Sequence, residues 1–228
     1  MDAEVTSAVE EYLETIYRLQ CKHGIAKTSD IVGSLKVAVG TVTNTVERLE
    51  REGLLIHEPY KGVKLTERGL KLALRIVRRH RLSEKLLTDF IGLDWAKAHE
   101  EACRLEHGIR DDVADRLEEA LGNPTTCPHG NPIPSKSGEI KEEEAIPIQD
   151  ASIGDYFEIV KVAEEEGMLQ YLDSLSLKPG VSLKIEEKAP FDGPITLIVS
   201  GRRYSIGRKV ASQIWVKPLE TRRRGDEA

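Results

Sequence analysis

The chain has 228 residues, of which 33 are Lys or Arg and 39 are Asp or Glu, so its formal net charge is −6. Its length predicts two or three small domains. No apolar run approaches the roughly 18 residues of a membrane span, and the acidic N-terminus lacks the basic flank of a secretory signal. The three cysteines form no dense framework, so we expect a cytoplasmic protein with reduced thiols.

The first part of the chain predicts a winged helix. Residues 5–20 carry apolar side chains at helical spacing. A short second helix follows, capped by Thr28 or Ser29, and a third helix ends at Gly53. The apolar stripe of the third helix consists of Val39, Val42, Val46 and Leu49. Two extended stretches, LLIHEP and VKLT, then form a hairpin pattern, and we assign residues 1–72 to a winged helix-turn-helix domain.

Three helices and a strand-rich region follow. The helices are predicted over residues 66–90, 95–109 and 111–121. Residues 123–144 contain four prolines, break all periodicity and are interpreted as a linker. The rest alternates as five short strands with a helical exception at 165–175, which predicts a small barrel. The fold class is therefore mostly α with a C-terminal β domain. We assign the helical domain with its linker to 73–138 and the strand-rich domain to 147–220.

Positive charge is concentrated in residues 18–85, which hold 15 Lys and Arg against 7 Asp and Glu, a local net charge of +8. A winged helix places its third helix in the major groove, where Thr43 and Asn44 are candidates to bind base edges. The alternative is a winged-helix interaction module whose third helix is simply solvated. The candidate DNA-binding residues are Lys27, Thr28, Ser29, Gly40, Thr41, Thr43, Asn44, Thr45, Arg48, Arg51, Tyr60, Lys61 and Lys64.

Side chains of the types that bind metals recur on the two helices that follow. His80 and Glu84 lie one turn apart on the apolar line of the first of these helices. Four more side chains of these types lie on the second helix, within an arc of about 100°: His99, Cys103, Glu106 and His107. A lone His or Cys in such a stripe is usually a core residue, but six in register predict metal binding. HEEAC begins like a zinc protease helix, but Cys103 stands where that motif needs a second His, so we predict no enzyme.

The run HRLSEKLLTDFIGLDWAKAHEEACRLEHGI, preceded by the winged helix and followed by GNPIP, resembles the diphtheria toxin repressor and iron-dependent regulator family. The resemblance covers nearly the whole chain and is strongest from Glu10 to Pro134. It implies a homodimer that divalent metal activates to bind a palindromic operator on double-stranded DNA. It also implies two metal sites per chain. The primary site would include Cys103, Glu106 and His107, and the ancillary site His80, Glu84 and His99.

The first helix departs from the iron-type pattern. Glu11 stands where iron-type members place a methionine, and Glu14 lies one turn later, as in manganese-type members. Manganese-type members, however, usually replace Cys103 with a carboxylate. The resemblance adds both glutamates to the primary site, whereas the alternative is a solvated helix face. A thiolate favours softer metals and carboxylates favour Fe(II) or Mn(II), so we expect Fe(II), with Mn(II) as the alternative.

The C-terminal strands resemble the SH3-like domain that some family members append, where it lends one or two ligands to the ancillary site. By alignment Glu164 is the expected donor. The second donor of the family, a glutamine, falls near Gly167 here, so Glu166 or Gln170 are alternatives.

Two further features near this domain are given no functional role. Cys127 and His129 in CPHG are two ligands short of a zinc site and are interpreted as a linker turn. The tail, residues 222–228, is predicted to be disordered.

The expected function is that of a metal-activated, dimeric transcriptional repressor in metal homeostasis, without membrane or small-molecule substrate. Two other classes remain open. A winged-helix regulator with a purely structural metal would bind DNA equally well at all metal levels, so a metal titration of DNA binding separates the two. A metalloenzyme would need an open coordination position beside a poised acid or base, and the sequence shows no such constellation beyond the ligands.

Overall fold

The structure, a computed structural model, describes residues 5–165 and 167–219. The predicted disorder of residues 222–228 and the alternative donor Glu166 lie outside these residues. The chain forms two compact units. The first unit comprises Met1–Ser83, Cys103–Asn123 and Ile133–Ile140, and the second comprises Glu84–Ala102, Pro124–Pro132 and Lys141–Ala228. None of the helices in the described part of the chain is long and apolar enough to cross a membrane.

The first unit begins with the predicted winged helix. Its elements are α1 (Ser7–His23), α2 (Thr28–Leu35), α3 (Val39–Arg51), β1 (Leu55–Glu58) and β2 (Gly62–Leu65). The two strands pair antiparallel with Leu55 opposite Leu65. Leu13, Ile31 and Val42 are fully buried between the helices. Val39 differs from the predicted stripe, because it is 60% exposed. It is the first residue of α3, and the packed part of that helix begins only at Val42.

Three helices follow. They are α4 (Glu67–Lys85), which continues as a π-helical turn (Leu86–Phe90), α5 (Trp95–Leu105), which continues as a 3-10 turn (Glu106–Gly108), and α6 (Asp111–Ala120). In the first unit, the buried Arg78 of α4 donates hydrogen bonds to Asp115 at 2.9 Å and Glu118 at 2.6 Å on α6. A buried cation costs little only when it is paired in this way, so this ion pair fixes α6 against α4.

The second unit contains a six-stranded antiparallel sheet. Its strands are β3 (Ile146–Pro147), β4 (Tyr156–Val162), β5 (Ser182–Lys188), β6 (Ile195–Val199), β7 (Arg202–Ile206) and β8 (Ile214–Pro218), in the order β3-β8-β4-β5-β6-β7. Alternate side chains such as Phe157 and Ile159 fill its core. Two short helices, α7 (Met168–Ser174) and α8 (Arg208–Ala211), complete it. The predicted fold class, mostly α with a C-terminal SH3-like β domain, is confirmed.

Residues 123–144 contain neither helix nor regular strand, as the sequence predicts, yet their CPHG turn is buried. In the second unit the Val162 N–H donates to the His129 carbonyl at 3.0 Å. Gly130 has φ +82°, and a Cβ added there would lie 2.0 Å from the Val160 carbonyl oxygen. Only glycine fits this close approach. The turn therefore packs against β4 and is more than the linker turn that the sequence predicted.

Candidate metal centres and DNA interface

The first candidate centre lies in the first unit, where α1 meets the 3-10 turn after α5. Ligand atoms of Glu11, Glu106 and His107 lie within 4.8 Å of one another. His107 Nε2 is 2.9 Å from Glu11 Oε1 and 3.3 Å from Glu106 Oε1. Its Nδ1 is 2.7 Å from Glu10 Oε2, and Glu10 also pairs with Arg79. Burial lowers the pKa of His107, but the surrounding carboxylates outweigh it and raise the pKa above its usual value.

A second group shares Glu106 with the first. Glu14, His80 and Glu106 are 5%, 0% and 0% exposed, and their ligand atoms also lie within 4.8 Å of one another. His80 Nδ1 is 2.6 Å from Glu106 Oε2, and the Arg18 guanidinium donates to Glu14 at 2.8 Å. Burial raises the pKa of Glu14, but the charges of Arg18 and His80 lower it to about 2.

In this second group the charge of Glu14 disfavours ionisation of Glu106, whereas a hydrogen bond from Glu106 favours ionisation of Glu14 and lowers its pKa. Burial raises the pKa of Glu106 to about 7, and the negative charge of Glu14 acts in the same direction, against the hydrogen bond from His80. A buried divalent cation would relieve this repulsion and take both carboxylates as ligands. The oxygen and nitrogen ligands gathered around Glu106 therefore fit a divalent metal of the Fe(II) or Mn(II) kind.

The structure gathers most of the residues predicted for the primary site. Glu11, Glu14, Glu106 and His107 all belong to these two groups, together with His80, which the resemblance places in the ancillary site. Cys103 is a half-buried free cysteine on α5 and belongs to neither group.

A third group lies in the second unit. Glu84, Cys127, His129 and Glu164 bring four ligand atoms within 4.8 Å of one another. His129 Nδ1 is 3.1 Å from Glu84 Oε1 and 3.6 Å from Glu164 Oε1. The Cys127 thiol donates to Glu164 Oε1 at 3.3 Å. His99 stands beside this group with Nδ1 2.9 Å from Glu84 Oε1. A thiolate, an imidazole and two carboxylates form a four-ligand set suited to a divalent transition metal.

Neighbouring groups orient these ligands. The Nε2–H of His129 donates to the Trp95 carbonyl at 3.1 Å, which leaves Nδ1 directed at the carboxylates. The Asn131 amide donates to Glu164 Oε1 at 2.7 Å. Outer hydrogen bonds of this kind fix the orientation of metal ligands in proteins.

Without metal, Cys127 and His129 of this third group hold protons. Burial raises the pKa of Cys127 to about 12, and the charges of Glu84 and Glu164 add to this. Burial lowers the pKa of His129, but the Glu84 carboxylate outweighs it and holds the pKa far above its usual value. The metal-free group therefore pairs an imidazolium and a neutral thiol with two carboxylates.

Cys127 and His129 are the residues that sequence reasoning missed, although the CPHG spacing was the signal that pointed to them. The two ligands that complete the group, Glu84 and Glu164, come from α4 and from the chain after β4. Glu10, the partner of His107, was also absent from the predicted site. The predicted donor Glu164 lies at this group, whereas the alternative Gln170 is exposed on α7.

Most of the predicted DNA-binding residues lie on exposed faces of the winged helix. Asn44 is exposed on α3 and, among the described residues, its amide makes no hydrogen bond, so its donor and acceptor are both available. The Thr43 hydroxyl is bound to the Val39 carbonyl at 3.1 Å. Tyr60 is fully exposed at the tip of the β1–β2 hairpin. Also exposed are Lys27, Ser29, Gly40, Thr41, Arg48, Arg51 and Lys61, whereas Thr28, Thr45 and Lys64 are half-buried.

Family comparisons match three parts of the chain. The iron dependent repressor N-terminal DNA binding domain matches residues 4–63, and the iron dependent repressor metal binding and dimerisation domain matches residues 66–135. The FeoA domain matches residues 146–218. Solved structures of similar proteins include a manganese-dependent transcriptional repressor in complex with manganese, with a TM-score of 0.83 at 29% identity, covering 92% of this chain and 99% of that chain. T. acidophilum IdeR gives a TM-score of 0.80 at 31% identity, covering 92% and 97%.

Two curated proteins support the same assignment. The iron-dependent repressor IdeR of Mycobacterium tuberculosis is 46% identical over 131 residues, which span 58% of this chain and 57% of that protein. The diphtheria toxin repressor of Corynebacterium diphtheriae is 32% identical over 232 residues, which span 95% of this chain and 99% of that protein. The resemblance found in the sequence is thus confirmed along nearly the full length of a relative, and the chain belongs to the diphtheria toxin repressor and iron-dependent regulator family.

Proposed function

We propose that the protein is a metal-activated transcriptional repressor that binds a palindromic operator on double-stranded DNA as a homodimer. One observation carries the proposal: α1 contributes Glu11 and Glu14 to the ligand groups around Glu106, and α1 also packs on α2 and β2 of the winged helix. Whatever fixes α1 in the first unit therefore bears directly on the DNA-binding elements. The relatives named as iron-dependent and manganese-dependent repressors support this assignment.

We assign two metal sites to each chain. The primary site lies around Glu106 and uses Glu11, Glu14 and His107, and Cys103 remains a proposed ligand there. The ancillary site lies in the second unit. Three of its proposed ligands, Glu84, His99 and Glu164, were predicted from the sequence together with His80. The geometry adds Cys127 and His129 to the proposed ligands.

Fe(II) is the proposed activating metal, and Mn(II) is the second candidate. The groups around Glu106 consist of carboxylates and imidazoles, which suit both ions. A relative with 46% identity is named as iron-dependent, whereas a structural relative with 29% identity is named as manganese-dependent. The thiol of Cys127 in the second unit adds a softer ligand, which favours Fe(II) over Mn(II) there.

The mechanism is a coupling between two binding equilibria. A bound divalent cation supplies the positive charge that lets the carboxylates of α1 and of the 3-10 turn stay ionised side by side. Glu11 and Glu14 then hold α1 to Glu106 and His107, and α1 holds α2 and β2 in place. DNA binds to that arrangement, so metal and operator strengthen each other's binding equally. Two-fold symmetry predicts half-sites one or more helical turns apart.

An anaerobic metal titration of DNA binding tests this proposal. An operator selected from random duplexes is followed by fluorescence anisotropy as Fe(II), or separately Mn(II), is added to metal-free protein. We expect operator affinity to rise with metal and fall on adding a chelator. His107→Ala should abolish the rise, Glu164→Ala should only weaken it, and His57→Ala, which changes an exposed histidine outside the ligand groups, should keep it.

Operator affinity that is unchanged by chelator would refute the coupling and favour a winged-helix regulator with a structural metal. The proposal includes no catalytic role for the ligand groups and no small-molecule substrate. Because a repressor must reach the chromosome, it also places the protein in the cytoplasm.

A further inference from the structure

A cleft of about 500 Å³ opens in the first unit, apart from the metal ligand groups. The first turn of α1, the end of α3, one face of α4 and residues 136–138 form its walls. Cavities of this size are typical of sites for small organic molecules. No residue of the three metal groups lines it.

The lining carries an excess of cations. Five basic side chains and a single carboxylate, that of Glu52, face the cleft. The basic side chains are Arg48, Arg68, Lys71, Arg75 and Lys136. Three of them lie on one face of α4 at helical spacing. Cations arranged around a concave surface raise the local concentration of anions, and the guanidinium fork matches a carboxylate or phosphate head.

Four of the five cations already have carboxylate partners, but all four ion pairs are exposed. Arg48 pairs with Glu52, and Arg75 pairs with Asp111. Lys71 pairs with Glu67 at 3.0 Å, and both side chains are mostly exposed. Lys136 likewise pairs with Asp115 at 3.2 Å on the surface. Exposed ion pairs contribute little stability, so an anion in the cleft displaces them at small cost. Arg68 donates to the Glu52 carbonyl at 2.9 Å and, among the described residues, has no carboxylate partner.

Apart from Thr6, Ser137 and Gly138, the uncharged lining is apolar. Val5 and Val9 of the α1 wall, Leu54, and Leu72 of α4 lie among the cations. An inorganic anion would gain nothing from these side chains, whereas an organic anion buries its tail against them. The lining therefore fits a molecule with an oxyanion head and a short apolar tail.

We propose that this cleft binds a small organic anion, and that its occupancy strengthens metal binding by α1. The second part rests on the proposed function, in which Glu11 and Glu14 of α1 bind metal. A ligand that touches Val5, Thr6 and Val9 would stabilise the start of this same helix. By linkage, metal and organic anion then increase each other's affinity.

Calorimetric titration of the metal-free full-length protein with hexyl sulfate tests the site without reference to DNA. This probe has a charged head and an apolar tail and does not compete as a chelator. We expect one molecule bound per chain, with inorganic sulfate and hexanol each binding at least about tenfold more weakly. Lys71→Glu should weaken hexyl sulfate binding about tenfold or more, whereas the matched reversal Lys209→Glu, in the second unit, should leave it unchanged.

Five results would each overturn the proposal or its second part. No hexyl sulfate binding, or equal affinity for inorganic sulfate, would exclude an organic anion. Displacement of the probe by operator DNA would assign the cations to DNA phosphates. If the double variant Asp2→Asn, Glu4→Gln bound hexyl sulfate much more tightly than wild type, the acidic N-terminal residues of the chain itself would be the occupant of the cleft. An Mn(II) affinity that hexyl sulfate does not change would refute the coupling to α1, whereas loss of metal-dependent operator binding alone would refute only the repressor function.

Discussion

Replacing His129 with alanine tests the ligand group of the second unit. The imidazole is completely buried, its Nε2–H is bound to the Trp95 carbonyl, and its Nδ1 lies 3.1 Å from Glu84. One nitrogen is therefore fixed by the protein while the other is presented to a cation. The substitution removes one of four ligands and leaves Cys127 and Glu164 in place.

The expected loss follows from the number of ligands. Four-ligand zinc sites bind with about 10–16 kcal/mol, so one ligand accounts for roughly 3 kcal/mol. Its removal should lower the metal affinity of this group about a hundredfold. The metal-free variant should also unfold at a lower temperature than wild type, because the buried carboxylate of Glu84 loses the imidazolium beside it.

Anaerobic titration with Co(II) measures the affinity and, through thiolate-to-cobalt absorption, reports whether Cys127 is a ligand. His57→Ala provides the control, since His57 is exposed and belongs to none of the ligand groups. We expect His129→Ala and Cys127→Ser to lose the tight second site and His57→Ala to keep it. If His129→Ala bound two ions with wild-type affinity while His99→Ala lost one, the reasoning from this geometry would be wrong.

Three further predictions concern the first metal group, the CPHG turn and pH. Glu10→Gln should weaken Mn(II) binding at the first group about 10–100-fold in calorimetry, because the carboxylate orients a ligand imidazole; unchanged affinity would show that it does not. Gly130→Ala should lower the melting temperature far more than Gly154→Ala, because both glycines have positive φ but only the first would bring a Cβ against backbone; equal effects would contradict this. Metal affinity of the second unit should rise with pH, up to about tenfold per unit for each proton released, because Cys127 and His129 are protonated without metal; a flat pH profile would refute it.

The fold could be predicted largely from the sequence because its signals are local. Helical periodicity located α1 to α6, and alternation located the long strands of the second unit. Val39 was misplaced because periodicity shows which face a residue shares but not where along a helix packing begins. β3 was missed because a strand of two residues has no alternation.

Spacing along the chain predicted the candidate sites only where ligands share a helix, and the family resemblance added Glu11, Glu14 and Glu164 from other segments. The pairing of His80 with Glu84 and the spacing from His99 to His107 are visible in the sequence. The group in the second unit is assembled from α4, an irregular turn and the chain after β4. No spacing rule connects such distant segments, so Cys127 and His129 became interpretable only in three dimensions. The same holds for the cationic cleft, whose walls come from four separate segments.

Glu106 joins the two ligand groups of the first unit. Its Oε2 faces His80 and its Oε1 faces His107, so one carboxylate serves two groups. An ion bound through one oxygen withdraws charge from the other and changes the affinity of the neighbouring group. The two groups are therefore linked through one carboxylate, and a single ion in the proposed primary site changes the charge that both groups experience. Substitutions at Glu106 should therefore weaken metal binding through both groups at once, whereas a substitution at His80 or His107 should affect one group only.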